Sequence, residues 1–393
     1  MIFKVIEPCF FCVAFIGSLI FKSKFSSSTM EFENMESRSL VAFGIPTVDY
    51  SFLVGDEDEV DRYGLNIDSQ REMTHELLNL IKNDFYKKKY KFKKLAGGNC
   101  LVSLMVFQNL LGNRNQTTMF GAVGDDEEGL FLEKYTNNAF VEAKFDSLEN
   151  RRTANCVILI HKDLRTIAVV NGAGGEYSLD KCANLSNKLE IVKRSKVVLF
   201  EGFFIAFSYD VAVKVIRHCK KNGNVVVINI SGSYVVNNFR EKLIDCLSMC
   251  DVLIGNSDEF DALCRVLNVT GDSVGQKVKT VQRRMLLTHA ANNTVRSKLK
   301  CMEKFKKIVV ITNNKKPVCC AYGDNELVQY TVPPVKSHLI KDTTGGGDSF
   351  LAGFLYGLVK EQSILKCIET GCLVASKVIQ KHGYDIDEST VFR

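Results

Sequence analysis

The chain shows no metal-ligand spacing among its six histidines, which lie scattered along it. Its 14 cysteines are equally dispersed. Only Cys9 and Cys12 are separated by two residues, and no second such pair completes a four-ligand zinc site. Internal repeats are missing, and so is any long low-complexity linker. No charge of one sign dominates: 51 basic against 45 acidic residues leave +6, too little over 393 residues to mark a nucleic-acid binder. These absences set aside zinc modules, repeat arrays and basic nucleic-acid-binding surfaces. Clusters such as Lys87-Lys88-Lys89 and Lys315-Lys316 read as solvated faces.

A hydrophobic content of 46% with 24% charged residues suits a core-forming globular protein. The length allows one large α/β domain with a satellite, or two ordinary domains. Cys319-Cys320 lie in an apolar stretch and read as buried thiols, and unpaired cysteines fit a reducing, cytoplasmic compartment. Residues 1–38 read as an N-terminal extension. Within it Phe10–Phe21 is apolar and is followed by Lys22, Lys24 and Ser26–Ser28, which has the look of a short signal or anchor. Glu7 and Pro8 precede the run, however, and a span needs roughly twenty apolar residues. With Met30 and Met35 available as downstream starts, the expectation is an appendage outside the fold, touching a membrane only if it is retained.

From Ser39 onward, apolar β runs alternate with amphipathic helical stretches, the pattern of a parallel sheet covered on both faces. The expected central strands are Ser39–Phe43, Lys196–Phe200, Asn224–Ile230, Asp251–Ile254 and Lys307–Ile311. Helices are expected over Cys100–Leu111, Tyr209–Lys221, Ser257–Leu267 and Asp348–Lys360, the first two stopped by Gly112 and by Asn222-Gly223. Phe120–Asp126, with Gly129, reads as a glycine- and acid-rich turn. Val48–Val60 and Cys156–Asn171 read as extended hairpins without crossover helices, the second turning at Lys162-Asp163. They predict a small antiparallel β lid, with segments at about 48–96 and 145–174 of a 39–393 domain. Val269–Lys306 is polar, helical and basic in patches and reads as a surface excursion.

The densest chemical signal is Asp342-Thr343-Thr344-Gly345-Gly346-Gly347-Asp348, directly before the apolar run Ser349–Val359. Three glycines let the backbone turn tightly, and the following helix adds unpaired N–H groups and the positive end of its dipole. The result is an anion cradle with a carboxylate on its rim. That combination suits phosphoryl transfer: the donors take up charge while the carboxylate takes a proton from an attacking hydroxyl. A glycine-rich turn before an ordinary helix has the same composition. What decides is the order of further signals: Gly44-Ile45-Pro46-Thr47-Val48-Asp49 after the first strand, Gly97-Gly98-Asn99 opening a helix, and Asn256-Ser257-Asp258-Glu259 at a strand's carboxyl end.

In this order the set resembles the ribokinase-type (phosphofructokinase-B) carbohydrate and nucleoside kinases, over roughly Ser39 to Gly383. The C-terminal motif is similar to that family's Asp-Thr-x-Gly-Ala-Gly-Asp signature, with Gly346 in the alanine position. Glu201-Gly202-Phe203-Phe204, Asn229-Ile230-Ser231, Gly255-Asn256 and Asp342–Phe354 most resemble segments of the adenosine kinases within it. The resemblance implies a three-layer α/β/α ribokinase-like fold with a β lid, acting as a monomer. It implies transfer of the γ-phosphoryl of ATP, with Mg²⁺, to the 5′-hydroxyl of adenosine. Asp348 would be the general base, and Gly345, Gly346 and Gly347 the anion hole. Arg165 would be a lid arginine for the phosphates. Asp49, Gly97 and Gly98 would meet the sugar, and Phe203 or Phe204 the base. Thr312, Asp342 and Thr343 would face ATP, while Asn256 and Glu259 would lie near Mg²⁺ through water.

The departures from that pattern fall on the acceptor side. Ile45 and Val102 stand where the adenosine kinases carry asparagines, Ala154 replaces a lid glycine, and Asn313-Asn314 replaces a Thr-x-Gly turn. Losing a hydrogen bond to a buried polar ligand costs about 1–3 kcal/mol per unsatisfied group. Three readings therefore stay open: an adenosine kinase tolerating these changes, a family kinase for another nucleoside or sugar, and a weakly active nucleotide-binding paralogue. Local alternatives stand beside the site roles: Asp49 as a turn cap, Phe203-Phe204 as core, and Asn256 with Glu259 as a helix capping box.

Overall fold

The computed structural model describes residues 37–381 except 68, 113–114, 163 and 291–294. The expectations for residues 1–36 and for Asp163 lie outside the described residues. In chain order the strands are β1 (Leu40–Phe43), β2 (Thr47–Leu53), β3 (Gln70–Glu72), β4 (Phe92–Gly97), β5 (Thr117–Gly124), β6 (Glu142–Leu148) and β7 (Ala154–His161). They continue as β8 (Leu164–Val170), β9 (Val197–Glu201), β10 (Val225–Asn229), β11 (Val252–Asn256), β12 (Ile308–Asn313), β13 (Lys316–Tyr322) and β14 (Glu326–Tyr330).

Nine strands form the main sheet in the order β14-β13-β12-β11-β10-β9-β1-β5-β6. The seven from β12 to β6 are parallel, and β13 and β14 close one edge antiparallel. The five expected central strands all lie in this sheet, and each is an apolar Val/Ile-rich run because both of its faces are covered. Leu40, Ala42, Val197, Leu199, Val225 and Val227 join Leu101, Leu104 and Phe354 of the helices Asn99–Leu111 and Gly346–Val359 in one core. The residues of opposite phase, Val41, Val198, Val226, Leu253 and Val309, are equally buried, so helices lie on both faces and the architecture has three layers. Gly112 and Gly223 end their helices in the left-handed region, as glycine permits. Asn314 turns the β12–β13 hairpin at φ 49°, a conformation asparagine tolerates without glycine.

Three sequence expectations are corrected here. Phe120–Gly124 is not a turn but the end of β5; only Asp125-Asp126 keep the turn reading, and Gly129 lies inside the helix Glu127–Asn138. A Cβ at Gly121 would lie 2.5 Å from the Gly44 carbonyl oxygen, so that glycine serves close strand approach rather than a bend. Val269–Lys306 is helical as expected but no mere surface excursion: its helix Val274–Ala290 buries Val278, Val281 and Met285 in the outer layer. The smaller sheet, ordered β3-β8-β7-β2-β4, is mixed rather than antiparallel. β2 pairs with β7, and β3 with β8, in parallel, while β2–β4 and β7–β8 are antiparallel. It also carries a crossover helix, His75–Lys87, whose Leu78, Ile81 and Phe85 cover Val48, Phe52 and Leu159. The opposite face of this sheet looks toward the carboxyl ends of the main strands. No helix among the described residues is long and apolar enough to cross a membrane.

Candidate active site

One pocket gathers most of the residues singled out in the sequence. It lies past the carboxyl ends of β1 and β9–β12, where open parallel sheets bind ligands, and the second sheet walls its other side. Asp348, Gly345, Gly347, Arg165, Asp49, Gly98, Phe203, Thr312, Asn256 and Glu259 all line it, as do Ile45 and Val102.

The glycine loop behaves as its composition requires. Gly345 takes φ 73° as the residue before the helix Gly346–Val359, and nothing would obstruct a Cβ at Gly347, so that side of the loop is open to a ligand. The Asp342 carboxylate accepts the Thr344 N–H at 2.8 Å and fixes the turn. The Gly346 N–H is spent on the Thr343 carbonyl at 3.2 Å. Asp342, Thr343 and Gly346 therefore build the loop without lining the pocket, in place of the ligand-facing roles the resemblance implied. Thr344 faces the pocket instead; its hydroxyl is buried with no partner.

Asp348 opens the helix, and its carboxyl is pushed up to about 7. Burial is the main cause; Arg165 pulls the value down, and Glu201, Glu259 and Asp49 push it up. The Ser103 hydroxyl lies 3.2 Å from the Asp348 carbonyl oxygen, tying the helix after Gly97-Gly98 to the one that carries Asp348.

On the wall formed by the second sheet, Asp49 sits inside β2 and accepts the Thr47 hydroxyl at 2.8 Å, so it is no turn cap. Gly97 makes room for it: a Cβ there would lie 2.1 Å from the carboxylate. Gly98 has φ 98°, and a Cβ would meet the Ile45 carbonyl oxygen at 2.3 Å, so its glycine is required by the backbone itself. The Phe pair separates: Phe203 lines the pocket, whereas Phe204 is fully buried against Phe43 and Tyr177, which corrects its reading as a base-stacking candidate.

Asn256 and Glu259 form a helix cap and also line the pocket. The Asn256 side chain accepts the Asp258 and Glu259 N–H groups, and Glu259 accepts the Asn256 N–H, all at 2.9 Å, a complete capping box. Both also face the pocket, where burial lifts the Glu259 carboxyl to about 7. Thr312 donates to the Gly255 carbonyl at 3.4 Å at the end of β12.

Among the pocket residues not singled out from the sequence, one is a buried acid. Glu201 ends β9, lines the pocket and is 2% exposed. Its carboxylate accepts the Ile45 N–H at 2.6 Å and the Cys100 N–H at 2.9 Å, and burial raises its pKa to about 7. The signal was present in Val197-Val-Leu-Phe-Glu201: a carboxylate closing an apolar central strand must be paired or used.

An anion cradle, a carboxyl poised near neutrality and an arginine in one cleft define a phosphotransferase acting on a hydroxyl group. The pfkB family carbohydrate kinase model matches residues 77–390, and the chain belongs to that family. It is 27% identical to adenosine kinase 1 of Arabidopsis thaliana over 353 residues, 90% of this chain and 97% of that protein. Its fold is similar to that of Schistosoma mansoni adenosine kinase in complex with 2-fluoroadenosine, at TM-score 0.79 and 21% identity over 90% of this chain and 98% of the other. Anopheles gambiae adenosine kinase in complex with P1,P4-di(adenosine-5) tetraphosphate matches at TM-score 0.77 and 23% identity, covering 89% and 97%.

Proposed function

We propose that the protein phosphorylates adenosine at its 5′-hydroxyl with MgATP, giving AMP and ADP in purine nucleoside salvage. The observation that carries this reading is Asp348: a carboxyl near pKa 7 at the start of a helix, beside the open Gly345–Gly347 turn and in one pocket with Asp49 and Arg165. Asp348 takes the proton from the 5′-hydroxyl, a task suited to a base whose pKa lies near working pH. Gly345, Gly347 and the helix start take up charge on the transferring phosphoryl, aided by the Arg165 guanidinium. Asp49 accepts from ribose hydroxyls, and Phe203 packs on the base. Thr312 lies toward the nucleotide.

The Glu259 carboxylate and the Asn256 amide offer hard oxygen atoms, and Glu259 is a buried acid whose ionised form a cation would favour. These two residues would hold Mg²⁺, through water, and the ion would neutralise phosphate charge. The second sheet reads as the lid that excludes water from the transfer. The buried thiols Cys319 and Cys320 support a reducing cytosol, and we read the protein as a monomer that binds no nucleic acid and meets a membrane only if the N-terminal apolar segment is retained.

Ile45 and Val102 favour a second reading, a kinase of this family for a different nucleoside or sugar, because both put apolar side chains into the pocket. MgATP-dependent phosphorylation of adenosine, beside a panel of nucleosides and sugars, separates the two. Turnover of adenosine above an Asp348→Asn blank supports the first, and turnover of another acceptor alone supports the second. Silence across the panel overturns both in favour of a nucleotide-binding paralogue.

A further inference from the structure

The chain crosses between the two sheets four times: at Gly44–Pro46 leaving β1, at Gly98 leaving β4, at residues 149–153 entering β7, and at Asn171-Gly172 leaving β8. One carboxylate holds the first two crossings, and another holds the third, to which the fourth is bonded through backbone. Asp126 accepts the Thr153 N–H at 2.8 Å and its hydroxyl at 2.5 Å, and the Ala173 N–H donates to the Arg152 carbonyl at 2.8 Å, so the third and fourth crossings move together. Glu201, fixed at the end of a central strand, takes the Ile45 N–H of the first crossing with one oxygen and the Cys100 N–H just past the second with the other. Gly44 leaves it the space: a Cβ there would lie 2.9 Å from the Glu201 carboxyl carbon and 2.7 Å from Cys100 Cβ.

We propose that Glu201 is a positioning residue: it pins the two crossings that carry the acceptor-side residues Ile45, Gly98 and Val102, and so sets the distance between Asp49 on the second sheet and Asp348 on the main body. The inference rests on the reading that the acceptor lies between those two carboxylates. Glu201 touches no reacting atom in this scheme; it acts through the backbone of the two crossings. Loosening the pin therefore weakens acceptor capture and leaves the nucleotide side, at Thr312 and Gly345–Gly347, in place.

The test compares Glu201→Gln and Glu201→Ala with the wild-type full-length chain, using adenosine and MgATP kinetics and amide hydrogen exchange. Glutamine keeps one acceptor oxygen, so it serves one N–H and turns its amide toward the other. The expected result is an adenosine KM raised roughly 10-fold in Glu201→Gln and further in Glu201→Ala, with the MgATP KM held within about twofold. An adenosine KM unchanged in both variants, or the two KM values rising together, overturns the pin. If Glu201→Ala does not fold, the isosteric Gln variant decides by itself. If the wild type turns over no adenosine, the proposed function fails separately, and hydrogen exchange tests the pin. Faster exchange at Ile45 and Cys100 with β9 and β10 unchanged then supports it, and unaltered exchange at both amides refutes it.

Discussion

The ionisation of Asp348 makes activity a function of pH with a sign fixed by the structure. A general base works deprotonated, so activity belongs above its pKa. With that value at about 7, roughly a tenth of the carboxyl is ionised at pH 6, half at pH 7 and nine-tenths at pH 8. The value of kcat/KM for adenosine should therefore rise about tenfold from pH 6 to pH 8, since this ratio reports the free enzyme. Steepness is not diagnostic, because Glu201 and Glu259 also sit near 7. The direction of shifts is. Arg165 favours the ionised form, so Arg165→Gln should move the acid limb to higher pH, whatever it does to the plateau. Glu201 and Glu259 disfavour ionisation, so neutralising either should move the limb to lower pH. Asp348→Asn should lower the plateau by about 10²–10⁴-fold while leaving ATP binding close to unchanged. A coupled assay of ADP release from pH 5.5 to 8.5 reads all of these. A limb that stays put or moves downward in Arg165→Gln refutes the electrostatic argument, and an Asn variant keeping a tenth of the activity removes Asp348 as the base.

Two further outcomes bear on the acceptor pocket. Ile45→Asn and Val102→Asn return amides to buried, pocket-lining positions and should tighten adenosine roughly 5- to 150-fold each by calorimetry, whereas weaker binding would assign both residues to another acceptor. In Gly97→Ala the new methyl would lie 2.1 Å from the Asp49 carboxylate, so Asp49 must leave its place. The adenosine KM should rise about tenfold with the circular dichroism spectrum unchanged, and an unaltered KM would take Asp49 out of the acceptor site.

Legibility from sequence followed the physics of each element. Short Val/Ile runs covered on both faces announced five central strands within a residue or two, because nothing else places such runs between polar turns. The strand β5 escaped because Gly121 and Gly124 look like turn residues; they are there because Cβ atoms would meet the Gly44 and Arg151 carbonyl oxygens at 2.5 and 2.2 Å. That contact joins segments far apart in sequence, and no local pattern records it. The helical character of Val274–Ala290 was legible, but its burial was not: Val278, Val281, Gln282 and Met285 recur at helical spacing on one buried face, under a surface basic enough to hide it. Phe203 and Phe204 show the limit from the other side. Adjacent identical residues carry no phase until the short helix Gly202–Phe207 turns one into the core and the other into the pocket.

The site residues divide by what they are made of, and that explains why the chain departs from its family pattern where it does. The anion cradle is backbone: a left-handed Gly345, an open Gly347 and a helix start, held by the Asp342 carboxylate and not by the acceptor-side residues. The acceptor pocket is side chain, contributed by the ends of β1, the face of β2 and the first turn of the helix after Gly98. A change such as Ile45 or Val102 can alter what binds there without touching the transfer machinery. What must not change is the distance between the two halves, since a hydroxyl misplaced by about 1 Å loses on the order of 10²-fold in rate. Two carboxylates, the buried Glu201 and the half-buried Asp126, hold that distance through backbone N–H groups rather than through the acceptor. A pocket built this way can change its substrate and keep its chemistry.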